Sequence, residues 1–360
     1  MTRESEAGGV DRYGAAEVGS VDRYGAAVVG SVAPDDAAAV EDVGSYDVVV
    51  VGGGPAGLSA GLVLGRARRS VLVVDGGRPR NAPAAHLHGF LSRDGAPPGD
   101  LLAAGRREVT GYGGAVLKGR ALSAERDHDG FTVAIEGGRT ARARRLLVTS
   151  GVTDELPDVP GIASRWGRDV VHCPYCHGWE IRDQPIGVLA ADPFGVRQAL
   201  LFRQWSERLT LLLHTAPRPT AEQAEQLAAR GISVVTGEVT GLDITEDRLS
   251  GVRLRTGELV ALRALAVAPR PVPRADVLAS LGLVPVPHPS GLGAHIAADP
   301  TGLTPVSGVW VAGNLADPHA NVLGSAASGS IAAGAINADL IAEDLHRAVR
   351  GYRAGAATRP

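Results

Sequence analysis

Asp47 is followed by four valines, Val48–Val51, which run directly into Gly52-Gly53-Gly54-Pro55-Ala56-Gly57. A helical pattern from Leu58 to Arg66 comes next. No other stretch constrains the fold as tightly. The short β-branched run reads as a buried parallel strand. Gly52 permits a tight turn, Gly54 lets a pyrophosphate approach the backbone, and Gly57 lets helix and strand pack closely, with Pro55 and Ala56 in the variable places. The free amides at the helix N-terminus then face phosphate. A second strand, Val71–Val74, ends in Asp75, where a ribose hydroxyl needs an acceptor. Strand, glycines, helix, strand and acid in that order predict a dinucleotide-binding unit. A ligand-free glycine loop explains fewer of these features.

The two cysteines of the chain stand together in Cys173-Pro174-Tyr175-Cys176-His177. Two thiols at that spacing can close a small disulfide that forms and breaks easily. The segment also fits a glutaredoxin-type site, a c-type haem attachment site, half a zinc site or two inert buried thiols. His86 and His88 form a second pair, which suits loop surface or substrate pocket better than a metal.

Composition narrows the setting. The net charge of −3 shows no basic surplus for nucleic acid, and mean hydropathy is +0.05. No apolar run is long enough to span a membrane, and the N-terminus lacks the pattern of a secretory signal. The expectation is a cytoplasmic protein, where a redox or catalytic cysteine pair is more usual than a structural disulfide. Glycine, at 48 of 360 residues, exceeds the usual level of roughly 7%. Nucleotide-binding loops use some of that excess.

Along the chain, residues 1–45 carry a tandem repeat, Val10–Ala16 and again Val21–Ala27, and read as a disordered extension. A Gly/Pro-rich loop covers 76–100, a helix 100–112, and strands 130–136 and 145–149. Past Pro157 and Pro160 a second βαβ unit begins, with strand Ile186–Ala190, helix Gly195–Trp205, strand Leu209–Leu213, helix Ala221–Ala229 and strand Ile232–Val235. A Pro-rich passage at 271–295 returns the chain to strand Gly308–Ala312. A last helix follows from Ser325 to Arg347.

This order resembles the low-molecular-weight thioredoxin reductase family of flavoproteins over residues 46 to 350. The features that carry the resemblance are the Gly52/Gly54/Gly57 fingerprint with Asp75, Thr149-Ser150-Gly151 at the crossing, the Cys-x-x-Cys in an inserted domain, and Ala312-Gly313-Asn314 before a long helix. The resemblance implies an α/β protein with two Rossmann-like, three-layer domains and a homodimer. The FAD domain would comprise 46–154 and 271–350, the inserted unit 155–270, and the tail 351–360. The cofactor is FAD, bound by the fingerprint residues with Thr149, Gly151, Gly313, Asn314, Asn321 and Val322. The same order weakens the rivals for the cysteines: Gly178 and Pro185 prevent the long helix of a glutaredoxin, haem attachment expects export, and zinc lacks two further ligands.

Two departures from that family direct the functional reading. The inserted unit's own nucleotide turn reads Ala190-Ala191-Asp192-Pro193-Phe194-Gly195, so methyl groups and a carboxylate stand where glycines admit NADPH. His177 follows the second cysteine, where the reductases have Asp. His177-Gly178-Trp179-Glu180 is similar to the dithiol oxidases, which form the disulfides of gliotoxin-, holomycin- and romidepsin-like natural products. That similarity implies an FAD-dependent oxidase of a small-molecule dithiol with O2 as acceptor. Cys173 would be the sulfur attacked by substrate, Cys176 the flavin-proximal sulfur, and His177 the base. The alternatives are a disulfide reductase fed by ferredoxin or NADPH that serves a thioredoxin-like protein, and a flavin-binding sensor without turnover.

Overall fold

A computed structural model describes residues 41–291 and 293–357. The repeat at 10–27 lies outside the described residues. Strand β1 (Glu41–Val51) starts five residues before the expected boundary at 46 and carries the four valines in alternation. Val48 and Val50 face helices α1 (Pro55–Arg66) and α8 (Val322–Ala357), against Leu64, Ile336 and Leu340. Val49 and Val51 face the opposite layer, against Phe131, Val277 and Leu278. Each is nearly or fully buried, which contributes roughly 1.5–3 kcal/mol per valine.

Around β1 the parallel sheet continues through β2 (Val71–Asp75) and β3 (Ala115–Lys118) on one side. Helix α2 (Pro98–Gly111) connects these two strands. On the other side β1 pairs with β6 (Arg139–Val148). The first half of β6 closes an antiparallel meander with β4 (Ala121–Arg126) and β5 (Phe131–Ile135). Strands β7 (Val152–Glu155) and β16 (Arg270–Pro273) are the two crossing segments, and they pair with each other.

Between the crossings, helix α3 (Ile162–Arg165) and strand β8 (Val170–Val171) lead to α4 (Pro174–His177). A second parallel sheet follows. Strand β9 (Ile186–Leu189) lies in it, then α5 (Phe194–Phe202), β10 (Leu209–Leu212), α6 (Ala221–Ala229), β11 (Ser233–Val235) and β15 (Ala264–Val267), ordered β11-β10-β9-β15-β8. An antiparallel meander of β12 (Val239–Thr245), β13 (Arg248–Leu254) and β14 (Leu259–Ala261) covers one face.

Strands β3, β4, β7, β8, β12–β16 and the first half of β6 were not among the expected elements. The β12–β13 turn explains part of this. Glu246 and Asp247 both take positive φ, 50° and 55°, without the Asn-Gly signal of such a hairpin. Asp247 is held there by Arg165 Nη1 at 2.6 Å. Beyond β16, α7 (Asp276–Ala279) and the short ladder β17 (Val286–Pro287) with β18 (Ala294–His295) lead to β19 (Val309–Val311). This last strand pairs with the end of β6. Helix α8 runs ten residues past the expected Arg347, through most of the segment read as a tail. Its small residues admit α1: a side chain on Gly329 would run into the Ala56 carbonyl oxygen.

Candidate active site

The carboxyl ends of β1 and β6 build one wall of a cavity of about 670 Å³. Gly52 sits at φ +116°, a left-handed conformation open to glycine, and a Cβ there would lie 2.5 Å from the Thr149 carbonyl oxygen. A side chain on Gly57 would meet the Gly52 carbonyl oxygen, and one on Gly53 the Asp75 carboxylate. Gly54 differs. A Cβ there meets nothing within 4 Å, because it faces the cavity as the N-cap of α1. Three glycines close the turn on itself and one keeps an approach open. Pro55 and Ala56 continue the same wall.

Thr149 locks the turn: its Oγ1 is 3.0 Å from the carbonyl oxygens of Val51 and Gly52. Asp75 is buried and already engaged. Its Oδ1 accepts the Gly77 amide hydrogen at 2.8 Å, and its Oδ2 accepts from Arg106 Nε at 2.9 Å and Nη2 at 2.7 Å. A carboxylate retains lone pairs for a ribose hydroxyl, so the acid acts there as one member of an ion pair. Asn314 lines the cavity, and its Nδ2 donates to the carbonyl oxygens of Asp317 at 3.1 Å, Pro318 at 3.4 Å and Ala320 at 2.8 Å, so the amide ties a loop. Asn321 Oδ1 accepts from Gly324 N at 2.8 Å and caps α8, while Val322 lines the cavity. Gly151 and Gly313, at φ +72° and +66°, turn the chain at the ends of β6 and β19.

Cys173 and Cys176 form a disulfide with Cα atoms 5.2 Å apart, and both line this same cavity. Cys173 precedes α4, and Cys176 lies within it. The helix stops at once: a side chain on Gly178 would strike the Pro174 carbonyl oxygen and the Trp205 ring. His177, the last residue of α4, lines the same cavity as the two cysteines. Both its ring nitrogens are buried without a hydrogen-bond partner. Burial pushes its pKa below the ordinary imidazole value, Glu180 opposes that shift, and His88 adds to it. His172, next to Cys173 in the chain, is pushed down to about 4 by burial and then by the Arg80 guanidinium.

Several residues here escaped the sequence reading. Arg80 grips Asp154 through two hydrogen bonds of 2.9 and 2.6 Å and donates to the Pro318 carbonyl at 2.9 Å, so it binds three segments together. Arg274 donates to Thr153 Oγ1 and to the Arg78 carbonyl, each at 2.9 Å. Arginines are abundant throughout this sequence, and nothing local marks these two. His86 and His88 both line the cavity. Among the described residues no cluster of three or more His, Cys, Asp or Glu side chains is arranged for a metal ion, and no helix is long and apolar enough to cross a membrane.

The second nucleotide turn, between β9 and α5, is closed from within. Asp192 Oδ1 accepts the Phe194 amide hydrogen at 2.8 Å, which occupies the first turn of α5 with the chain's own carboxylate. A side chain on Gly195 would collide with the Ala190 methyl group. His214, beyond β10, accepts the Val239 amide hydrogen at Nδ1 at 3.1 Å and so serves the fold.

The first turn fits a flavin dinucleotide: an open Gly54, a free helix N-terminus and a cavity that continues to the disulfide. Comparison with known proteins agrees with this geometry. Residues 46–335 match the family described as pyridine nucleotide-disulphide oxidoreductase. The crystal structure of HlmI is similar, with 47% identity, a TM-score of 0.82, and coverage of 87% of this chain and 98% of that one. Thioredoxin reductase sirT of Leptosphaeria maculans is 29% identical, over 83% of this chain and 96% of that protein. Thioredoxin reductase tcpT of Claviceps purpurea (strain 20.1) is 35% identical over 54% of this chain, and the match spans only 58% of that protein's length. An α/β fold of two Rossmann-type units, a disulfide in the cavity of the first and a family match over most of the chain lead to one conclusion: this chain belongs to the pyridine nucleotide-disulphide oxidoreductase family, with the fold of its thioredoxin reductase-like members.

Proposed function

We propose that the protein is an FAD-dependent dithiol oxidase that closes an intramolecular disulfide in a small-molecule dithiol and passes the electrons to O2. The observation that carries this reading is the self-closed α5 turn. With Asp192 on the Phe194 amide, a nicotinamide dinucleotide has no phosphate seat, so electrons enter from thiols. FAD, held at Gly52–Gly57, Asp75, Gly151, Gly313 and Val322, supplies when bound the two-electron acceptor that restores the disulfide and delivers electrons to oxygen.

The protein's own residues do the thiol chemistry. One substrate thiolate attacks Cys173, and Cys176 leaves as thiolate. The second substrate thiolate attacks the substrate sulfur of the mixed disulfide and releases Cys173. Substrate leaves as the disulfide, the enzyme holds the dithiol, and His177 accepts a proton from the incoming thiol. Its two unpartnered nitrogens are hydrogen-bonding capacity left unused by the fold.

The names of tcpT and sirT favour a second reading, a thioredoxin reductase-like enzyme running the other way. Anaerobic mixing of the flavin-loaded protein with dithiothreitol or with NADPH separates the two. Bleaching of the flavin by the dithiol alone is expected, and rapid bleaching by micromolar NADPH would reverse the assignment.

The same reading includes a homodimer. Helix α8 is about 54 Å long at 1.5 Å per residue, and among the described residues its last buried one is Leu340. Ile331, Ile341, Leu345 and Tyr352 recur at helical spacing on its outer side, exposed by 53 to 79%. A second copy of this chain is the cover expected for that stripe. Sedimentation of the wild type as a dimer, and of Ile341→Glu/Leu345→Glu as a monomer, would bear it out.

A further inference from the structure

Three histidines from two segments of chain gather where the cofactor cavity meets the surface. His288 directly follows β17, His295 ends β18, and His319 lies in the loop between β19 and α8, where it lines the cavity. The His288 ring stands edge-on to His295 at 4.8 Å and to His319 at 5.2 Å between centroids. Ser290 joins two of the three: its Oγ lies 2.8 Å from His288 Nδ1 and 2.8 Å from His319 Nε2. The Ser290 amide also donates to His288 Nδ1, at 3.2 Å. His295 is engaged elsewhere, with Nδ1 3.0 Å from the Ala316 carbonyl oxygen. Asp317 Oδ1 accepts the His319 amide hydrogen at 2.9 Å and holds that loop.

These contacts fix where the protons sit. A neutral imidazole carries a hydrogen on one nitrogen and a lone pair on the other. His288 Nδ1 accepts a backbone amide hydrogen, so it is the lone-pair nitrogen of its ring. The Ser290 hydroxyl must then donate to it, and a hydroxyl has one hydrogen to give. Ser290 Oγ therefore accepts from His319, whose Nε2 carries the hydrogen and whose Nδ1 keeps the lone pair. The chain of bonds has one direction, from His319 Nε2–H through Ser290 Oγ–H to His288 Nδ1. Burial, and then His295 and His319, hold the His288 pKa below the ordinary imidazole value against the opposing Asp317, so the ring rests neutral. His177 has no comparable onward partner, since both its nitrogens are buried without a hydrogen bond.

We propose that His319, Ser290 and His288 form a proton relay between the cofactor cavity and solvent. The proposal rests on the reading of the protein as a dithiol oxidase. Closing a disulfide from a dithiol releases two protons with its two electrons, and reducing O2 to hydrogen peroxide takes two of each up again. In the first half a substrate S–H bond breaks and an N–H bond forms at His319 Nδ1. The Nε2 hydrogen of His319 passes to Ser290 Oγ, the hydroxyl hydrogen of Ser290 passes to His288 Nδ1, and the Nε2 hydrogen of His288 leaves to water. The relay then points the other way, with an N–H of His288 facing the Ser290 amide hydrogen, an arrangement the fold disfavours. Return of a proton along the same bonds to the oxygen being reduced restores the resting direction. One outward and one inward transfer thus leave the relay as it began.

Two measurements test it on the full, flavin-loaded chain. Stopped-flow absorbance follows anaerobic bleaching by dithiothreitol and recovery on mixing with O2, each in H2O and in D2O. Ser290→Ala cuts the relay and leaves both rings. It should slow both phases about tenfold and change their solvent isotope effect; the usual 10²–10⁴ of a positioned base is not reached, because His319 is exposed and water competes for its proton. Ser290→Thr, which returns the hydroxyl, and added imidazole should each recover most of the rate. His319→Gln should slow the wild type but add nothing to Ser290→Ala. The second measurement, proton–nitrogen correlation NMR of the oxidised protein, needs no turnover and should find the hydrogen on Nε2 of both His288 and His319. A hydrogen on His288 Nδ1 would overturn the relay. So would Ser290→Ala rates and isotope effects equal to those of a wild type that dithiothreitol bleaches, and the oxidase reading would then stand. A wild type that dithiothreitol does not bleach would remove the oxidase reading first, and the relay with it.

Discussion

The two strand–turn–helix units that open the two sheets, β1–α1 and β9–α5, share one plan and differ in a single turn. In both, a buried strand feeds a helix that packs back on its own sheet. In the first, Gly54 stands at the helix N-cap with empty space where a side chain would point. In the second, Asp192 has laid its carboxylate on the Phe194 amide, and Ala190 fills the room beside Gly195. The buried faces hold each unit together, and the first turn decides whether an anion can enter. The two turns can differ in this way with both sheets intact, because the packing of strand on helix does not depend on what stands at the helix N-terminus.

The largest expected effects contrast glycines within the open turn. Gly57→Ala sets a methyl group on the Gly52 carbonyl oxygen and should abolish folding or stable flavin binding together. Gly54→Val meets no protein atom nearby, so thermal unfolding of the apoprotein should stay near wild type. Its flavin affinity should nevertheless fall by at least about a hundredfold, or about 2.7 kcal/mol, because the side chain enters the ligand's approach. Flavin content by absorbance, with calorimetry on the apoproteins, reads both. A Gly54→Val protein that purified fully yellow would show that the open turn is not the cofactor's seat.

Next in size is His177, the base in the proposed dithiol oxidation. His177→Ala should slow reduction by dithiothreitol by about 10²–10⁴-fold while flavin stays bound. The base must be neutral, and burial lowers its pKa. The wild-type rate should therefore rise with pH through a limb below the ordinary imidazole value near 6.5, unless the thiolates beside it shift it back. Stopped-flow traces across pH 5–9 give the limb. A folded mutant with an unchanged rate would leave His177 as packing only.

His172 gives a smaller effect with a defined sign. Its folded pKa, about 4, lies below the unfolded value near 6.5. Between those values the unfolded chain binds the extra proton, so stability falls as pH drops through that window and is unaffected above it. The full loss is at most about 3.4 kcal/mol, from about 1.36 kcal/mol per pH unit over that window. Urea unfolding of His172→Gln should show a flatter loss between pH 6.5 and 4 than wild type. Parallel curves would mean that His172 is not held neutral by the fold.

Much of the open site could be read in the sequence, because each feature there is dictated locally. A β-branched run and glycines at fixed offsets follow from backbone sterics, and an acid at the strand end from what a ribose hydroxyl needs, all within one short stretch of chain. The disulfide was less legible from its spacing, which also fits glutaredoxin, haem and zinc sites, and became legible only from the order of features around it. What stayed hidden depends on distant partners. The Asp75–Arg106 pair joins β2 to α2, Arg80 joins the β2 loop to Asp154 and Pro318, and His88 reaches Glu180 across 92 positions of chain. The meander β12–β14 escaped because its hairpin uses Glu246 and Asp247 at positive φ, a choice that Arg165 makes tolerable only once the chain is folded.

The smallest expected effect falls on the closed turn and bears most directly on the contrast between the two. Asp192→Ala removes a carboxylate that accepts one amide hydrogen at the start of α5, and should cost about 1 kcal/mol of stability, the usual net worth of one hydrogen bond. In return it frees the Phe194 amide and takes a negative charge from where phosphate would lie. Pro193 still lacks an amide hydrogen and the Ala190 methyl still crowds Gly195, so flavin reduction by NADPH should remain slow in this variant. Ala190→Gly/Asp192→Ala removes both the charge and the methyl group, and weak NADPH binding should appear there first. Calorimetric titration with NADPH, beside flavin bleaching, ranks the three proteins. Binding that rises from wild type to single to double variant would show that charge and sterics close the turn together. Equal and absent binding in all three would place the obstruction elsewhere, beyond β10, where His214 stands bonded to the Val239 amide.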